Sequence, residues 1–349
     1  MASSVVGVDI SGTFLRAVEL SNASKPKPTL LRFHEVPLPV GAVSRGEVIE
    51  PLTVGTALKR LWSEGGFKSK NVVLGIGNQR VLARDLSLPK DTIKHIRESL
   101  PFQVQDMLPM PVADALLDFY PVSESIGESG PVINGLLIAA VKDAVLGNVN
   151  AVQNAGFTTV EVDLIPFALN RLLISRAQLQ GTVALVDVGA NTTSVVIAVD
   201  GAPQFVRIIP AGGDDLTQAL MKGLEVDAEE ADRLKREFGL ATQVATKEEH
   251  RAVEIIYAAT GELLSSLRNT LSYFTNGRPQ EPVRQIILTG GGTQLIGFAK
   301  ALTDMTNITA GEVDPFGAVT ISNSIRADKL RESRTAMTVA LGLALGSAA

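Results

Sequence analysis

The apolar positions of this chain form short runs that alternate with helix-length amphipathic segments, which is the pattern of an α/β fold. Residues 5–20 and residues 183–199 are alike. Each has an apolar run with an aspartate near its end, a short polar turn and a second apolar run. Each segment therefore predicts a β-hairpin. Because the two aspartates, Asp9 and Asp187, lie about half a chain apart, we expect the hairpins in two similar lobes.

Length and composition agree with a two-lobed globular protein. A chain of 349 residues exceeds what one hydrophobic core usually organises, and 45% hydrophobic residues argue against general disorder. With 32 basic and 37 acidic residues the formal charge is −5, so nucleic acid is not expected as a partner. The chain has no cysteine and three histidines far apart in sequence, which excludes a disulfide framework and disfavours a local metal cluster.

The chain shows no segment suited to insertion in a membrane. Its first residues lack a basic region followed by a long apolar core, so no signal peptide is expected. The apolar tail at 337–349 is shorter than the roughly 20 residues that a membrane-spanning helix requires. We therefore expect a cytoplasmic protein that reaches the inner face of the cell membrane only through partners.

The turns of the two hairpins carry the chemistry of a phosphate site. Glycine, serine, threonine and asparagine can turn several backbone N–H groups toward one point, where they bind phosphate oxygens. A carboxylate at the end of the preceding strand can hold magnesium through its water shell. One such hairpin is most often an ordinary surface turn, but two opposed copies would hold a polyphosphate from both sides. The turn residues are Ser11, Gly12, Thr13, Gly189, Ala190, Asn191 and Thr192.

Three further segments have a functional and an ordinary interpretation. Gly290, Gly291 and Gly292 follow an apolar strand and precede a helix, where they either form a tight connection or let a ligand approach the backbone. Gly212 and Gly213 also precede a helix, which Asp214 or Asp215 could simply cap. Asp232 and Lys235 share a helix face, either as an exposed ion pair or as contacts to ribose or adenine.

The order of these segments resembles the superfamily of actin, sugar kinases and DnaK-type chaperones. Within it, the chain is most similar to the branch that contains PilM and FtsA, over nearly its whole length. The phrases that carry the resemblance are VGVDISGTFLRAVEL, ALVDVGANTTSVVIAVDG, RIIPAGGDDLTQAL, EEADRLKREFG, IILTGGGTQLIGFAKAL and TVALGLALG. The resemblance implies an α/β, actin-like fold of two lobes, each a ribonuclease-H-like domain, with a small α+β subdomain inserted in lobe one.

The resemblance also implies domain boundaries. We expect lobe one at 1–182, with the inserted subdomain at about 88–162. Lobe two is expected at 183–330, with a helical or strand subdomain at about 214–281. Residues 331–349 are expected to form a carboxyl-terminal helix that returns to lobe one.

ATP and magnesium are the cofactors that the resemblance implies. It makes Asp9 and Asp187 the magnesium-associated carboxylates, acting through water. The residues that it places at the nucleotide are Ser11, Gly12, Thr13, Arg16, Gly189, Ala190, Asn191, Thr192, Gly212, Gly213, Asp232, Lys235, Gly290, Gly291 and Gly292. Two of them depart from the family pattern, since Ser11 replaces a glycine and Arg16 replaces a lysine, and neither exchange is neutral.

The segment where hydrolysing relatives orient the attacking water is also unusual. Ile165 precedes Pro166 where those relatives carry an acidic or amide side chain, and Asp163 is the nearest carboxylate and the only catalytic candidate. Phosphoryl transfer to water needs a residue that orients the nucleophile. We therefore expect a nucleotide-binding protein that is at most a slow ATPase.

The implied function is an ATP-binding cytoplasmic scaffold of type IV pilus assembly or a related secretion-type machine. In PilM-type proteins the insert offers a groove, between itself and lobe one, to the amino-terminal cytoplasmic peptide of the inner-membrane protein PilN. A PilN-like protein and other pilus assembly proteins are thus the expected partners, and self-association stays open. Four apolar residues of the insert could form its core or contact a partner, and most of them are assigned to the core. The four are Phe102, Met107, Leu108 and Met110.

Two alternatives remain at this point. An FtsA-like filament protein of cell division is disfavoured because no basic amphipathic helix follows the domain. A small-molecule kinase of the same superfamily lacks an evident segment for a catalytic base.

Overall fold

Strands and helices alternate along the chain, as the apolar runs predict. The computed structural model describes residues 4–128, 130–241 and 245–346. The strands are β1 (Ser4–Ile10), β2 (Phe14–Ser21), β3 (Thr29–Pro37), β4 (Val43–Ser44), β5 (Glu47–Val48), β6 (Asn71–Ile76), β7 (Val81–Pro89), β8 (Ala115–Gly127), β9 (Gly130–Val141), β10 (Thr158–Leu164), β11 (Thr182–Val188), β12 (Thr193–Val199), β13 (Ala202–Ile209), β14 (Gln285–Thr289), β15 (Ala310–Gly311) and β16 (Thr320–Ile321). The helices are α1 (Pro51–Gly65), α2 (Ile93–Gln103), α3 (Lys142–Asn154), α4 (Ile165–Asn170), α5 (Gly213–Leu224), α6 (Ala228–Phe238), α7 (Lys247–Gly277), α8 (Phe298–Thr306), α9 (Ala327–Glu332) and α10 (Thr338–Ala344).

Two sheets repeat one topology. The six-stranded sheet has the order β10-β6-β1-β2-β3-β16, and the five-stranded sheet has the order β13-β12-β11-β14-β15. In both, three antiparallel strands form a meander whose first strand pairs in parallel with the next strand of the sheet. Asp9 and Asp187 are each the second-last residue of that first strand. The duplicated arrangement predicted for the two hairpins is therefore confirmed.

The central strand β1 is apolar because both of its faces are covered, as is usual for strands next to parallel neighbours. Val6 and Val8 are fully buried in the cluster that also contains Leu58 and Leu61 of α1. On the other face α10 packs against β1 so closely that a Cβ at Gly7 would overlap the carbonyl oxygen of Ala340. The carboxyl-terminal segment thus returns to this sheet through α10. It is not one helix over the predicted 331–349, because α9 ends at Glu332 and α10 begins at Thr338, and residues 347–349 lie outside the described residues.

The inserted subdomain is a three-stranded sheet, β7-β9-β8, with α2 packed on one face. The separate sheet runs from Val81 to Val141, because β7 pairs with β9 along its whole length. The predicted boundaries of 88–162 differ from this at both ends. They omit most of β7, and they include α3, which packs on α1, and β10, which pairs with β6 of the six-stranded sheet.

The region predicted as the second subdomain, 214–281, is built from α5, α6 and α7. Its core contains the buried side chains of Leu216, Leu220 and Ile256. Within the described residues of this region no strand is present. The predicted bounds of lobe one, 1–182, and of lobe two, 183–330, stay proposals.

Candidate functional site

The turns of the two hairpins, one from each large sheet, approach each other closely. A Cβ built on Gly12 in the first turn would lie 3.0 Å from Oδ1 of Asn191 in the second turn. The side-chain Nδ2 of Asn191 donates to Oδ2 of Asp214 at 2.8 Å, which orients the side chain of Asn191. The two turn segments that the sequence analysis predicted as phosphate loops therefore meet at one point.

The second turn has free backbone donors. The N–H group of Gly189 donates to the carbonyl of Thr192 at 2.9 Å and closes the turn. Within the described ranges, the N–H groups of Ala190, Asn191 and Thr192 have no protein acceptor. Unpaired donors in such a turn form a concave site for anions, so this turn fits a phosphate group.

The first turn has fewer free donors, because Ser11 bonds within the turn. The N–H of Ser11 donates to the carbonyl of Phe14 at 3.0 Å, and its hydroxyl donates to the same oxygen at 2.8 Å. Only Gly12 and Thr13 keep backbone N–H groups without an acceptor in this turn, among the residues described. Serine in place of the usual glycine thus closes the turn with its own side chain.

Helix α5 begins directly on the second turn. The N–H groups of Gly213 and Asp214 donate to the carbonyls of Gly189 and Ala190 at 2.9 and 2.8 Å. A Cβ at Gly212 would lie only 2.6 Å from the carbonyl oxygen of Gly189, so this close approach requires glycine. The glycine pair that the sequence analysis predicted near a nucleotide is therefore in contact with the second turn.

The third glycine segment lies against the end of β11. Gly290 has a φ of +88°, and a Cβ there would lie 2.6 Å from Oδ1 of Asp187 and overlap the carbonyl oxygen of Val188. At Gly292 a Cβ would overlap the side chain of Val188, whereas at Gly291 it would meet nothing within 4 Å. Gly290 thus leaves room for the carboxylate of Asp187, and Gly292 leaves room for the side chain of Val188.

The two aspartates at equivalent strand ends influence each other. Burial raises the pKa of Asp187 to about 7, and the nearby Asp9 carboxylate adds to the rise. Burial also raises the pKa of Asp9, and the guanidinium of Arg16 opposes this effect. Two enclosed carboxyl groups that repel each other when ionised fit a hydrated divalent cation, which removes the repulsion.

Lys235 reaches from α6 to the first turn of α5. Its ammonium group pairs with Asp232 at 2.9 Å and donates to the hydroxyl of Thr217 at 2.7 Å. It also lies 3.4 Å from the carbonyl oxygen of Gly213. The ordinary ion pair of Asp232 and Lys235 is thus present, and it lies next to the start of α5, which contacts the second turn.

Comparison with known proteins decides the family. Residues 7–348 match the family model described as "Type IV pilus assembly protein PilM". The chain belongs to the PilM family. A structure described as "PilM-PilN type IV pilus biogenesis complex" is 29% identical, with a TM-score of 0.86, and the match covers 99% of this chain and 98% of that chain.

More distant relatives of this PilM-family chain show the branch and the fold. Cell division protein FtsA of Bacillus subtilis is 30% identical over 109 residues, 31% of this chain and 25% of that protein. FtsA of Neisseria meningitidis is 24% identical over 270 residues, 66% of this chain and 60% of that protein. The chain thus spans a quarter to three-fifths of these curated relatives. The structure of MreB5 of Spiroplasma citri bound to AMPPNP is 10% identical, with a TM-score of 0.54 over 98% of this chain and 95% of that chain, and shows the fold alone.

Arg16 is placed beside the first turn but is bound by carboxylates. Its Nε donates to Glu35 at 2.9 Å, and its Nη1 lies 3.7 Å from Asp9 and 3.5 Å from the hydroxyl oxygen of Ser11. Sequence reasoning missed Glu35. The signal for it is the strand register, because Glu35 on β3 stands directly opposite Arg16 on β2.

Asp163 is bound in an internal ion pair of this PilM-family chain. It is only 7% exposed, and Arg171 donates to it at 2.9 Å while also donating to the carbonyl of Gly342 at 3.1 Å. Burial raises the pKa of Asp163, which Arg171 opposes. Ile165 packs against Gly75, where a Cβ would lie 2.8 Å from its Cγ1. Arg171, which follows α4, thus connects Asp163 of β10 to Gly342 of α10. The ion pair holds three parts of the fold together.

Proposed function

We propose that this PilM-family chain is an ATP-binding scaffold of type IV pilus assembly, with magnesium as the accompanying ion. The observation that supports nucleotide binding most strongly is the approach of Gly12 to Asn191, which brings two donor-bearing turns together. Backbone N–H groups of both turns would bind phosphate oxygens, and Asp9 and Asp187 would hold the water shell of the ion. The ion would supply positive charge between the phosphates and these carboxylates.

The nucleoside would lie beside Gly291, where an added Cβ would meet nothing within 4 Å. Gly212 and Gly290 are instead filled by neighbouring protein atoms, and they let the second turn and the Asp187 carboxylate pack closely. Lys235 and Asp232 stand beside α5 and are the proposed contacts to ribose or adenine. Mass spectrometry of the protein purified without added nucleotide tests the assignment. ATP or ADP carried through purification is expected, and a ligand of another class would contradict it.

Hydrolysis by the isolated protein is expected to be slow, below the typical enzyme range of about 1–1000 per second. The reason is that Ile165 offers no polar group to water and Asp163 is occupied by Arg171. Phosphate release from MgATP measures the rate, and the variant Asp187→Asn gives the background from contaminating enzymes. A wild-type rate inside that range would favour a kinase or another enzyme over a scaffold.

We propose that the partner is a PilN-like inner-membrane protein, bound through a peptide at the insert. The similar structure described as a PilM-PilN complex supports this proposal. Among the described residues no helix has the length and apolar composition needed to cross a bilayer. Recruitment by a membrane protein would place this chain at the inner face of the cell membrane, with other pilus assembly proteins as further partners.

Two surfaces of the insert bear on where a peptide would bind. Met107 and Leu108 pack against the insert core, whereas Phe102 on α2 is 84% exposed and does not belong to that core. A cavity of about 590 Å³ also opens at the insert, but it faces residues 277–281 of the second half of the chain. We propose Phe102 as the contact for the peptide because it presents a large apolar surface at the side of the insert that carries α2.

Phe102→Ala is expected to weaken binding of a PilN-like amino-terminal peptide by about tenfold or more, the effect of losing an aromatic anchor. Calorimetry measures the affinity, which is expected to be moderate because the free peptide is disordered. The matched control is Ile126→Ala, since Ile126 is 82% exposed on β8 of the same subdomain. Unchanged affinity for Phe102→Ala, or equal losses in both variants, would move the site away from α2. Point variants suit this test better than deletion of 88–162, which would remove β10 from the six-stranded sheet.

A further inference from the structure

Three charged side chains form a row across the first three strands of the six-stranded sheet. Asp9 on β1 stands opposite Arg16 on β2, and Arg16 stands opposite Glu35 on β3. Directly opposed residues on neighbouring strands have their Cβ atoms about 4.5–5.5 Å apart, so their side chains interact. Arg16 accordingly pairs with both carboxylates, at 2.9 Å to Glu35 and 3.7 Å to Asp9. A single guanidinium is therefore shared by two carboxylates beside the first turn.

The position of Arg16 is set by the first phosphate turn. Its Nη1 lies 3.5 Å from the hydroxyl oxygen of Ser11, and its guanidinium lies 5.2 Å from the ring centre of Phe14. The hydroxyl proton of Ser11 is donated to the carbonyl of Phe14, so the oxygen can accept from Arg16. Arg16 is thus next to the turn that would receive a phosphate, but its best-formed ion pair is with Glu35.

The two carboxylates differ in how easily they can be exchanged. The side chain of Asp9 is 11% exposed, whereas that of Glu35 is 40% exposed and sits toward the rim. An exposed ion pair contributes little free energy, because water solvates the two separated charges almost as well as they stabilise each other. A phosphate group, by contrast, offers two oxygens to the planar fork of a guanidinium. Glu35 is therefore the partner that an incoming phosphate can displace.

We propose that Glu35 is a competing counter-ion, which holds Arg16 in the ligand-free protein and must release it before Arg16 can bind a nucleotide phosphate. This inference rests on the proposed nucleotide function and adds a residue that limits affinity at the same site. Glu35 does not touch the nucleotide in this arrangement. It acts through Arg16. The free energy needed to break the Glu35–Arg16 ion pair is subtracted from the free energy that Arg16 gains by binding phosphate, and this lowers the affinity for the nucleotide.

The test is a double-mutant cycle on MgATP affinity, measured by calorimetry with wild type, Glu35→Gln, Arg16→Gln and the double variant. Glu35→Gln keeps the size of the side chain and is expected to raise affinity by up to about fivefold, the scale of an exposed ion pair. Arg16→Gln is expected to lower affinity. In the Arg16→Gln background, Glu35→Gln is expected to have no effect on MgATP affinity, because no guanidinium is then present for Glu35 to bind.

Each other outcome overturns a specific statement. Lower affinity in Glu35→Gln would mean that Glu35 orients Arg16 for phosphate rather than withholding it. A gain that persists without Arg16 would be a general effect of removing negative charge, and the proposal would be wrong. Unchanged affinity in Glu35→Gln would also overturn it while leaving the nucleotide function intact. Absence of MgATP binding in all four proteins, each shown by its melting temperature to be folded, would overturn the nucleotide function itself.

Discussion

Asp187→Asn is expected to remove most of the thermal stabilisation that ATP with magnesium gives to the wild type. A ligand that binds only the folded state adds about 2.7 kcal/mol at a concentration 100-fold above its dissociation constant. Without the Asp187 carboxylate the ion loses one of its two acidic contacts, so the shift in melting temperature should shrink or vanish. Asp9→Ala is expected to act in the same direction. Melting curves with and without MgATP, and with ATP plus a chelator, measure the effect.

The same substitution should raise the melting temperature of the ligand-free protein. The pKa of Asp187 is raised to about 7 in the fold, so its contribution to stability is present at low pH and is lost as pH rises through about 7. Asparagine does not titrate, and its gain over the wild type should therefore be larger at pH 8 than at pH 5. Asp106→Asn is the control, because Asp106 is an exposed aspartate of the insert. A full magnesium-dependent shift in both Asp187→Asn and Asp9→Ala would contradict the cleft assignment.

Local chemistry explains why the two hairpins could be predicted from the sequence. Apolar runs on either side of a Gly/Ser/Thr/Asn turn specify a hairpin without help from the rest of the chain. The meeting of Gly12 and Asn191 is different, since it depends on how two sheets pack, and only the family resemblance indicated it. Glu35 was missed for a related reason. Its register opposite Arg16 depends on an irregularity between Glu19 and Leu20 that no local pattern reveals.

Other differences from the prediction have simple geometric causes. Ile96 and Leu100 are four residues apart and face the insert core, so Phe102, two positions beyond Leu100, points to the other side of α2. That exposure could have been derived from helical periodicity. The ion pair of Asp163 with Arg171 could not, because Arg171 also donates to Gly342 of α10, which is 171 residues later in the chain. A carboxylate next to the expected catalytic segment was therefore a reasonable candidate from sequence alone.

Gly290→Ala is expected to destabilise the protein strongly and to abolish its response to magnesium. Gly290 has a φ of +88° and a ψ of 153°, a conformation that is essentially confined to glycine and costs another residue about 1–3 kcal/mol. The added methyl group would also overlap the carbonyl oxygen of Val188 and lie 2.6 Å from the carboxylate of Asp187. Overpacking of this kind typically costs about 1–3 kcal/mol. Urea unfolding should therefore show a loss of roughly 2–6 kcal/mol, together with loss of the MgATP-dependent thermal shift.

Gly291→Ala separates this effect from a general intolerance of the glycine segment. Gly291 is the next residue, yet a Cβ there would meet nothing within 4 Å, and its φ is not positive. Its free energy of unfolding should change by less than about 0.5 kcal/mol, the usual range for surface positions. Gly290→Ala displaces Asp187 even where the protein remains folded, so its magnesium response should be absent at low temperature, whereas Gly291→Ala should keep it. Equal losses of stability and of the MgATP-dependent thermal shift in the two variants would contradict this explanation. They would show that the site requires the whole glycine segment, and not only the room that Gly290 leaves for Asp187.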